Sequence, residues 1–283
     1  MQKNYTIQTN RLAMHLREQG KGKVLVMLHG WPESSYCWQE LMPYLAQKFR
    51  VICPDLRGMG DSERTLPMED YSKENLAKDV FALLDALEIQ NFYLVGHDWG
   101  GIVAQEMALA EPKRVEKLVL MNISIITNTK GNLAAREALK DKGISFLWYQ
   151  FFQQQPHLAD AMIRGNEEVW LRHFLRLAKG RTFPEAHLQE YVRTFKIANT
   201  PTTTANFYRA MQIDMPRWMS LQGKRFEMPA LYVYGARDVI IVPAYLEGIE
   251  DCFPEVTVKQ IEAGHFVQEE APEEVVEALL NFL

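Results

Sequence analysis

The stretch VGHDWGG (residues 95–101) follows a short apolar run and precedes a helical pattern that begins near Gly100. Gly96 and Gly100 lie two residues on either side of Asp98, where their small size allows a sharp turn from a strand into a helix. Such a turn presents a single side chain at the end of the strand. Here that side chain is a carboxylate, so the sequence raises the question of which chemistry requires one.

Short apolar runs of the same kind recur along the chain, and helical patterns follow them. The runs are 24–28, 51–53, 92–95, 118–121, 231–234 and 256–258. Continuous apolar runs of this length are typical of strands buried on both faces, as in a parallel sheet covered by helices. Segments 5–9 and 12–17 alternate weakly and predict an edge hairpin. The sequence therefore predicts an α/β fold with a mostly parallel sheet.

Two helices of this fold have recognisable first residues. Ser72 is a suitable N-cap for a helix whose apolar residues recur at spacings of three and four. Pro272 is a good first-turn residue for the last helix, whose apolar residues are expected to point inward. Both helices are predicted to pack one apolar stripe against the sheet.

The region from about Thr127 to Gly223 contains no β-like run and consists of amphipathic helical patterns rich in aromatic residues. A helical insertion between two strands of a parallel sheet is expected to cover the carboxyl edge of that sheet, where ligands of open α/β sheets bind. The predicted organisation is a core formed by residues 1–126 and 223–283, with a helical cap formed by residues 127–222.

Composition excludes several functional classes. With 283 residues, 47% hydrophobic side chains and a formal charge of −5, the chain suits a large globular domain and has no basic patch of the kind that nucleic-acid binding requires. The N-terminus lacks the apolar run of a signal peptide, and no stretch approaches ~18 uninterrupted apolar residues. Cys37, Cys53 and Cys252 show no metal-ligand spacing. We therefore expect a cytoplasmic enzyme with no nucleic-acid or membrane partner and no metal or organic cofactor, while no pattern indicates an oligomeric state.

Four polar segments are expected at the ends of predicted strands. They are HGWP (29–32), VGHDWGG (95–101), GARD (235–238) and AGHF (263–266). Each has an ordinary structural explanation when taken alone, because a Gly-X-Asp-X-Gly segment is usually a turn and a single histidine often only completes a hydrogen-bond network. Together, Asp98, Asp238 and His265 stand at successive strand ends in the chain order nucleophile, acid, histidine. This order favours a catalytic site.

The chain resembles the α/β-hydrolase superfamily, and within it the soluble epoxide hydrolases and their haloalkane dehalogenase relatives, which carry HGxP and GHDWG-type segments. The resemblance extends from about Leu12 to Leu283 and includes DLRGMGDS (55–62), which is similar to a loop of the family. It implies an α/β-hydrolase fold with an inserted helical cap. It also implies that the backbone N–H groups of Trp31 and Trp99 form the oxyanion hole for a tetrahedral intermediate on Asp98.

A carboxylate at this turn implies covalent chemistry at a saturated carbon. A serine attacking such a carbon would leave an ether, which activated water does not readily cleave, whereas a carboxylate leaves an ester whose carbonyl carbon water can attack. His265, oriented and charge-stabilised by Asp238, would act as the base for that water. The leaving group is then either the oxygen of an epoxide or a halide.

The two leaving groups make different demands. An opening epoxide develops alkoxide character and needs a proton donor, for which a phenol with a reference pKa of about 10 is suitable, whereas a halide needs only weak N–H donors. The cap segments YQFFQ (149–153) and NFYR (206–209) resemble the tyrosine-bearing cap segments of soluble epoxide hydrolases. The resemblance therefore implies that Tyr149 and Tyr208 donate to the epoxide oxygen.

Three positions refine this choice. The HGxP segment contains Trp31 where dehalogenases that use an asparagine amide would have Asn, and Trp99 stands where fluoroacetate-type dehalogenases have arginine. Asn122 stands where some relatives have the acid of the triad, but an amide cannot take that role. We therefore expect hydrolysis of a small apolar epoxide. A haloalkane dehalogenase using the same covalent mechanism and a non-catalytic ligand-binding α/β-hydrolase are the alternatives.

Overall fold

The computed structural model of the protein describes residues 1–140 and 147–283, and within these ranges eight strands form one sheet. The strands are β1 (Lys3–Gln8), β2 (Ala13–Gln19), β3 (Lys23–Leu28), β4 (Phe49–Pro54), β5 (Phe92–His97), β6 (Val115–Met121), β7 (Ala230–Gly235) and β8 (Val256–Ile261). Their order across the sheet is β1-β2-β4-β3-β5-β6-β7-β8. β2 is antiparallel to β1 and β4, and the other neighbours are parallel. The predicted fold class is confirmed.

The central strands are apolar because both faces of the sheet are covered. Leu25 and Met27 of β3 belong to one apolar core, and Val26 and Leu28 belong to a second. Since successive side chains of a strand point to opposite faces, the two cores lie on opposite sides of the sheet. At the margins, β1 has no fully buried position and β8 exposes four of its six residues. The predicted edge hairpin forms β1 and β2.

Helices flank the sheet, and they include the predicted helices that begin after Ser72, near Gly100 and at Pro272. Within the described ranges they are α1 (Met42–Leu45), α2 (Lys73–Ala86), α3 (Trp99–Ala110), α4 (Thr129–Lys140), α5 (Trp148–Gln154), α6 (Leu158–Ile163), α7 (Glu167–Leu175), α8 (Glu185–Phe195), α9 (Thr200–Arg209), α10 (Met211–Leu221), α11 (Val267–Glu270) and α12 (Pro272–Phe282). Short 3₁₀ turns occur at Ser35–Trp38, Met68–Tyr71, Pro243–Leu246 and Ile249–Asp251. The Ser72 hydroxyl accepts the Asn75 N–H at 3.3 Å and caps α2 as predicted.

The helices α4 to α10 lie between β6 and β7 along the chain, in the region where the sequence predicts a cap. Residues 141–146, which belong to the cap predicted at 127–222, lie outside the described residues. The division into residues 1–126, 127–222 and 223–283 stays a prediction. What matters for the site is that α5, α7 and α9 contribute side chains above the carboxyl ends of the strands.

Two sequence expectations concern features away from the site. Within the described ranges, no helix combines the length and the apolar character that crossing a bilayer requires. Cys37, Cys53 and Cys252 are buried free thiols, and burial raises the pKa of all three. These thiols therefore stay protonated and contribute packing rather than chemistry.

A buried ion pair joins the core to the cap. Lys73, at the start of α2, donates from Nζ to Asp214 Oδ2 at 2.8 Å and to the carbonyl oxygen of Phe207. Both charged side chains are buried, with 0% and 1% of their surface exposed. Burial lowers the pKa of Lys73, and the charge of Asp214 acts in the opposite direction. The ammonium group also lies 4.2 Å from the centre of the Trp99 ring, so the pair contacts the residue that follows Asp98.

Replacing Lys73 by methionine should destabilise the protein, because the Asp214 carboxylate would then be buried without its counter-ion. Breaking a buried pair in this way costs ~3–5 kcal/mol, which lowers the melting temperature by roughly 10 °C in a domain of this size. The matched control is Lys78→Met in the same helix, since Lys78 pairs with Glu74 at the surface, where an ion pair contributes ~0–1 kcal/mol. Thermal unfolding followed by circular dichroism checks this prediction. Equal melting temperatures for the two variants would contradict it.

Candidate active site

The turn at Asp98 connects β5 to α3 and has a backbone conformation that residues with side chains rarely adopt. Its φ is 48° and its ψ is −126°, a combination that costs on the order of 1–3 kcal/mol and persists where the surroundings enforce it. A Cβ atom on Gly96 would lie 2.5 Å from the Gly100 carbonyl oxygen, and one on Gly100 would lie 2.4 Å from that of Leu28. The strands and the helix therefore approach too closely for larger residues, and this close packing holds Asp98 at the tip.

The three predicted catalytic residues lie together at the carboxyl ends of the strands. Asp98 follows β5, Asp238 follows β7 and His265 follows β8. His265 Nδ1 is 2.8 Å from Asp238 Oδ2, and His265 Nε2 is 3.5 Å from Asp98 Oδ2. The Ile240 N–H donates to the other oxygen of Asp238 at 2.7 Å. The imidazole thus connects a fully buried carboxylate with one that is 16% exposed.

Opposing influences set the charge of these groups. Burial by itself would lower the pKa of His265, but the charges and hydrogen bonds of Asp238 and Asp98 raise it well above its usual value. Burial would raise the pKa of Asp98, yet the hydrogen bond and charge of His265 lower it. The resting site therefore holds a carboxylate beside an imidazolium. Neutralising Asp98 would remove one of the two charges that raise the histidine pKa.

One backbone N–H group binds the Asp98 carboxyl group, and another belongs to the residue that follows Asp98 in the chain. The Trp31 N–H donates to Asp98 Oδ1 at 2.8 Å. Trp99 is the first residue of α3, so its N–H belongs to the donors that a helix leaves without a partner at the positive end of its dipole. Gly30 allows the approach, because a Cβ atom there would lie 2.5 Å from Asp98 Cβ. The Trp31 N–H thus binds the Asp98 carboxyl group in the resting site, and its role in an oxyanion hole stays a prediction.

Tyr149 of α5 and Tyr208 of α9 lie near Asp98 on the cap side of the site. Their ring centres are 5.8 Å apart, with the ring planes at 84°. Both rings line one small cavity together with Asp98 and His265. Burial raises the pKa of both phenols, and the negative charge of Asp98 acts in the same direction. Both tyrosines are therefore neutral O–H donors at neutral pH.

This cavity is narrow and mainly apolar. It is lined by Trp31, Pro32, Asp98, Tyr149, Phe174, Leu177, Tyr208, Ile240, His265 and Phe266. Its free space amounts to about one water molecule. A wider cavity of about 210 Å³ adjoins it and is lined by Trp148, Tyr149, His173, Phe174, Arg176, Leu177 and Ile240. The inner cavity is too small for an organic substrate in this conformation, so some of the side chains that line it must move when one binds.

Asn122 supports the site through hydrogen bonds of its side chain. As expected for an amide, it does not supply the acid that binds His265. Its Nδ2 donates to the carbonyl oxygens of Gly264 and His265 at 2.8 and 3.0 Å. Its Oδ1 accepts the Gly235 N–H at 2.8 Å. This one side chain therefore ties together the ends of β7 and β8. Its place directly after β6 is the sequence signal from which this role could be predicted.

His97 and Glu33 form a buried layer beneath the site. His97 Nε2 is 2.8 Å from the His265 carbonyl oxygen, and its Nδ1 is 2.9 Å from Glu33 Oε2. Gln268 donates to the other oxygen of Glu33 at 2.8 Å. Burial would raise the pKa of Glu33, but the charge and hydrogen bond of His97 lower it. Glu33 directly follows the HGWP segment, yet no sequence pattern predicts that it is buried.

Three residues that line the inner cavity lie outside the sequence segments from which the site is predicted. Phe174 belongs to the aromatic residues that the sequence concentrates in the cap, so only its membership of that class could be anticipated. Ile240 stands two residues after Asp238 in the same turn, which is a usable signal. Leu177 follows α7 without any pattern that distinguishes it.

A separate group of potential metal ligands lies elsewhere in the described part of the chain. Atoms of His15, Asp55 and Asp61 lie within 4.8 Å of one another. Asp55 accepts the N–H groups of Ser35 and Asp61 at 2.7 and 2.9 Å, and it lies 2.8 Å from His15 Nδ1. Asp61 pairs with Arg193 at 2.7 Å. These carboxylates thus already have partners within the chain.

Sequence comparison relates this geometry to known proteins. Residues 23–272 match the family described as alpha/beta hydrolase fold. The chain is 31% identical over 281 residues to the soluble epoxide hydrolase of Corynebacterium sp. (strain C12), a match that covers 96% of this chain and 94% of that protein. It is 28% identical over 297 residues to bifunctional epoxide hydrolase 2 of Sus scrofa, which covers 95% of this chain. The chain spans about half, 53%, of the length of that relative.

Structural comparison gives the same relationship. The epoxide hydrolase CorEH, solved without ligand, matches with a TM-score of 0.86 and 29% identity, covering 100% of this chain and 98% of that one. The similarity thus extends over the sheet, the cap and the strand ends rather than over one motif. The chain therefore belongs to the α/β-hydrolase family, in which it is epoxide hydrolase-like.

Proposed function

We propose that the protein is an epoxide hydrolase, which converts a small apolar epoxide into a vicinal diol through an ester formed on Asp98. The observation that carries this proposal is the proximity of Tyr149 and Tyr208 to Asp98 and His265 in one cavity. Two neutral phenols beside a carboxylate nucleophile suit a leaving group that must receive a proton. The relatives named as epoxide hydrolases support the same reaction.

In the first step, a carboxylate oxygen of Asp98 attacks one epoxide carbon, and the ring carbon–oxygen bond breaks as the ester bond forms. The negative charge moves to the epoxide oxygen, which takes a proton from one of the two phenols. Because burial raises the pKa of Tyr149 and Tyr208, each keeps its proton until this alkoxide develops. The narrow apolar cavity strengthens the hydrogen bonds involved because it excludes water.

Ester formation also prepares the base. Once Asp98 is esterified its charge is gone, so the pKa of His265 falls and the imidazolium can release its proton. That proton balances the one taken from the phenol, and a neutral imidazole remains.

In the second step, neutral His265 takes a proton from water, which attacks the carboxyl carbon of Asp98. The N–H groups of Trp31 and Trp99 stabilise the resulting oxyanion. The carboxyl carbon–oxygen bond to the substrate then breaks, and the departing alkoxide takes the proton of the new carboxyl group. The diol is released, and the Asp98 carboxylate and the His265 imidazolium of the resting site are restored. The oxygen of the water stays in the Asp98 carboxylate.

One observation favours haloalkane dehalogenation as the second candidate. Among the described residues, Trp31 Nε1 is buried without a hydrogen-bond partner, although Trp31 lines the cavity. An indole N–H in this environment is a suitable weak donor to a departing halide. The paired phenols favour the epoxide, and the two reactions are separated by measuring diol and halide for styrene-type epoxides, aliphatic epoxides and haloalkanes.

A single turnover in water labelled with heavy oxygen should place the label in the carboxyl group of Asp98. The diol formed in that turnover should carry the original oxygen of Asp98 and no label. Mass spectrometry of the diol and of the peptide that contains Asp98 measures both, and Asp98→Ala should form no diol. Label found in the first-turnover diol alone would show direct attack by water and would exclude Asp98 as the nucleophile.

Removing both phenols should slow epoxide opening while sparing any halide displacement. We expect the double variant Tyr149→Phe, Tyr208→Phe to form the ester ~10²–10⁴-fold more slowly, which is the usual contribution of general acid catalysis. The matched control is Tyr191→Phe, since Tyr191 is a buried cap tyrosine whose hydroxyl donates to Glu269 at 2.9 Å and does not line the cavity. Rapid-quench measurement of ester formation checks this. A double variant as fast as the control would contradict the assigned role.

The two steps should depend on pH in different ways. Ester formation needs an ionised Asp98 and protonated phenols, and because the pKa of Asp98 is lowered and those of the phenols are raised, its rate constant should be nearly constant from about pH 5 to 9. Ester hydrolysis needs neutral His265, so its rate constant should fall as the pH drops through the histidine pKa. Single-turnover kinetics over this range measure both constants. A hydrolysis rate that does not vary with pH would contradict His265 as the base.

A further inference from the structure

Glu270 is a buried carboxylate that has no assigned role in the proposed reaction. It is the last residue of α11, which directly follows the His265 loop, and only 6% of its surface is exposed. No lysine, arginine or histidine lies within ion-pair distance of it in the ranges that the structure describes. A buried charge of this kind must be stabilised by hydrogen bonds.

Backbone N–H groups from two separate segments provide those bonds. On the side of the base, Glu270 Oε2 accepts from Gly264 at 2.8 Å and Oε1 accepts from Phe266 at 3.0 Å, so the two neighbours of His265 are both held. On the side of the cap, Oε2 accepts from Lys179 at 2.5 Å and also from Gly180. One carboxylate therefore connects the loop of the base to the chain between α7 and α8.

The two segments also touch directly. A Cβ atom on Gly264 would lie 2.6 Å from the carbonyl oxygen of Leu177 and 2.8 Å from the nitrogen of Lys179. Nearby, Arg181 donates to the carbonyl oxygen of Glu269 at 2.6 Å. Leu177 lines both cavities of the site. The same contacts therefore fix both the cap segment that contains Leu177 and the loop that carries His265.

The hydrogen bonds of Glu270 belong to a larger group of hydrogen bonds that surround His265 and its loop. Asn122 and His97 bind the carbonyl oxygens of this loop, and Asp238 binds the imidazole Nδ1. The N–H groups on either side of the histidine are bound by Glu270. The backbone of the loop is thus held from opposite sides, which restricts the direction of the imidazole.

We propose that Glu270 is a positioning residue for the hydrolytic step. It keeps His265 aligned with the Asp98 ester and fixes the loop that carries His265 against residues 177–181 of the cap. The proposal rests on the proposed function, because it requires an ester that His265 helps to hydrolyse. It predicts that loss of Glu270 impairs the second step more than the first, since ester formation depends on Asp98 and the tyrosines.

Glu270→Gln is the sharpest test, because the two oxygens of Glu270 have different partners. Oε2 accepts three N–H groups and Oε1 accepts one. If the amide oxygen of glutamine takes the Oε2 position, its NH₂ group faces the Phe266 N–H, and two donors repel each other. The variant thus keeps the bonds from Gly264 and from the cap, and it loses the bond from the Phe266 N–H. The matched control is Glu274→Gln, which changes an exposed carboxylate at the start of α12.

The experiment measures ester formation and ester hydrolysis separately with styrene oxide, with each rate constant expressed per active site from the burst amplitude. For Glu270→Gln we expect hydrolysis to slow ~10- to 100-fold, as for a small misplacement of a catalytic group, with ester formation changed less than about threefold. The ester should accumulate on the peptide that contains Asp98, as it should in His265→Gln. Glu274→Gln should match the unmodified protein in both steps.

A second variant tests the same junction without changing the charge. In Gly180→Ala the added Cβ would lie 3.1 Å from Glu270 Oε2, so the cap segment should move and hydrolysis should slow by a smaller factor. If either folded variant hydrolyses the ester at the normal rate, or loses both steps equally, the positioning role is wrong and Glu270 only stabilises the fold. If the unmodified protein forms no ester at all, the proposed function itself fails.

Discussion

The close packing around the Asp98 turn is the constraint on which the rest of the site depends. Asp98 would relax to an ordinary turn if β3, β5 and α3 could move apart. The contacts at Gly30, Gly96 and Gly100 prevent this, since a single Cβ atom at any of them would meet another atom at 2.5 Å or less. These elements form the centre of the sheet, where strand residues such as Leu94 and Val95 are fully buried. The stability of the core therefore maintains the strained backbone of Asp98, the proposed nucleophile.

The same turn determines the electrostatics of the site. It holds a charged carboxylate among aromatic rings, where that charge is balanced by the Trp31 N–H and by the His265 imidazolium. This arrangement suits a nucleophile but leaves the histidine protonated, which is the wrong state for a base. Esterification of Asp98 would resolve the conflict, since it removes a charge that raises the histidine pKa. In the proposed mechanism, then, formation of the ester itself makes the base available.

The parts of this arrangement that follow from order along the chain could be predicted from the sequence. The ends of parallel strands meet at one edge of a sheet, so Asp98, Asp238 and His265 could be brought together from apolar runs and short motifs alone. Tyr149 and Tyr208 needed the resemblance to a family as well, because the spacing of residues in a cap does not tell which way each side chain points.

Other contacts depend on tertiary packing and left no sequence signal. Lys73 pairs with Asp214, which is 141 positions further along the chain. Glu270 contacts the N–H of Lys179, which lies 91 positions before it. Glutamate and lysine are usually exposed, so neither residue type indicates a buried role. Local periodicity contains no information about such partners, and they become visible only when the helices are packed.

These two long-range contacts connect the cap to two sides of the candidate site. On one side, Lys73 of the core binds Asp214 of α10 and lies against Trp99, whose N–H is expected in the oxyanion hole. On the other side, Glu270 binds the cap next to Leu177 and holds the loop of the base. The inner cavity is too small for a substrate in this conformation, and four of its lining residues belong to the cap, so we expect cap residues to shift when one binds. At both places a contact of the cap lies beside a group of the site, so we expect such a shift to alter the surroundings of the Trp99 ring and of the His265 loop together.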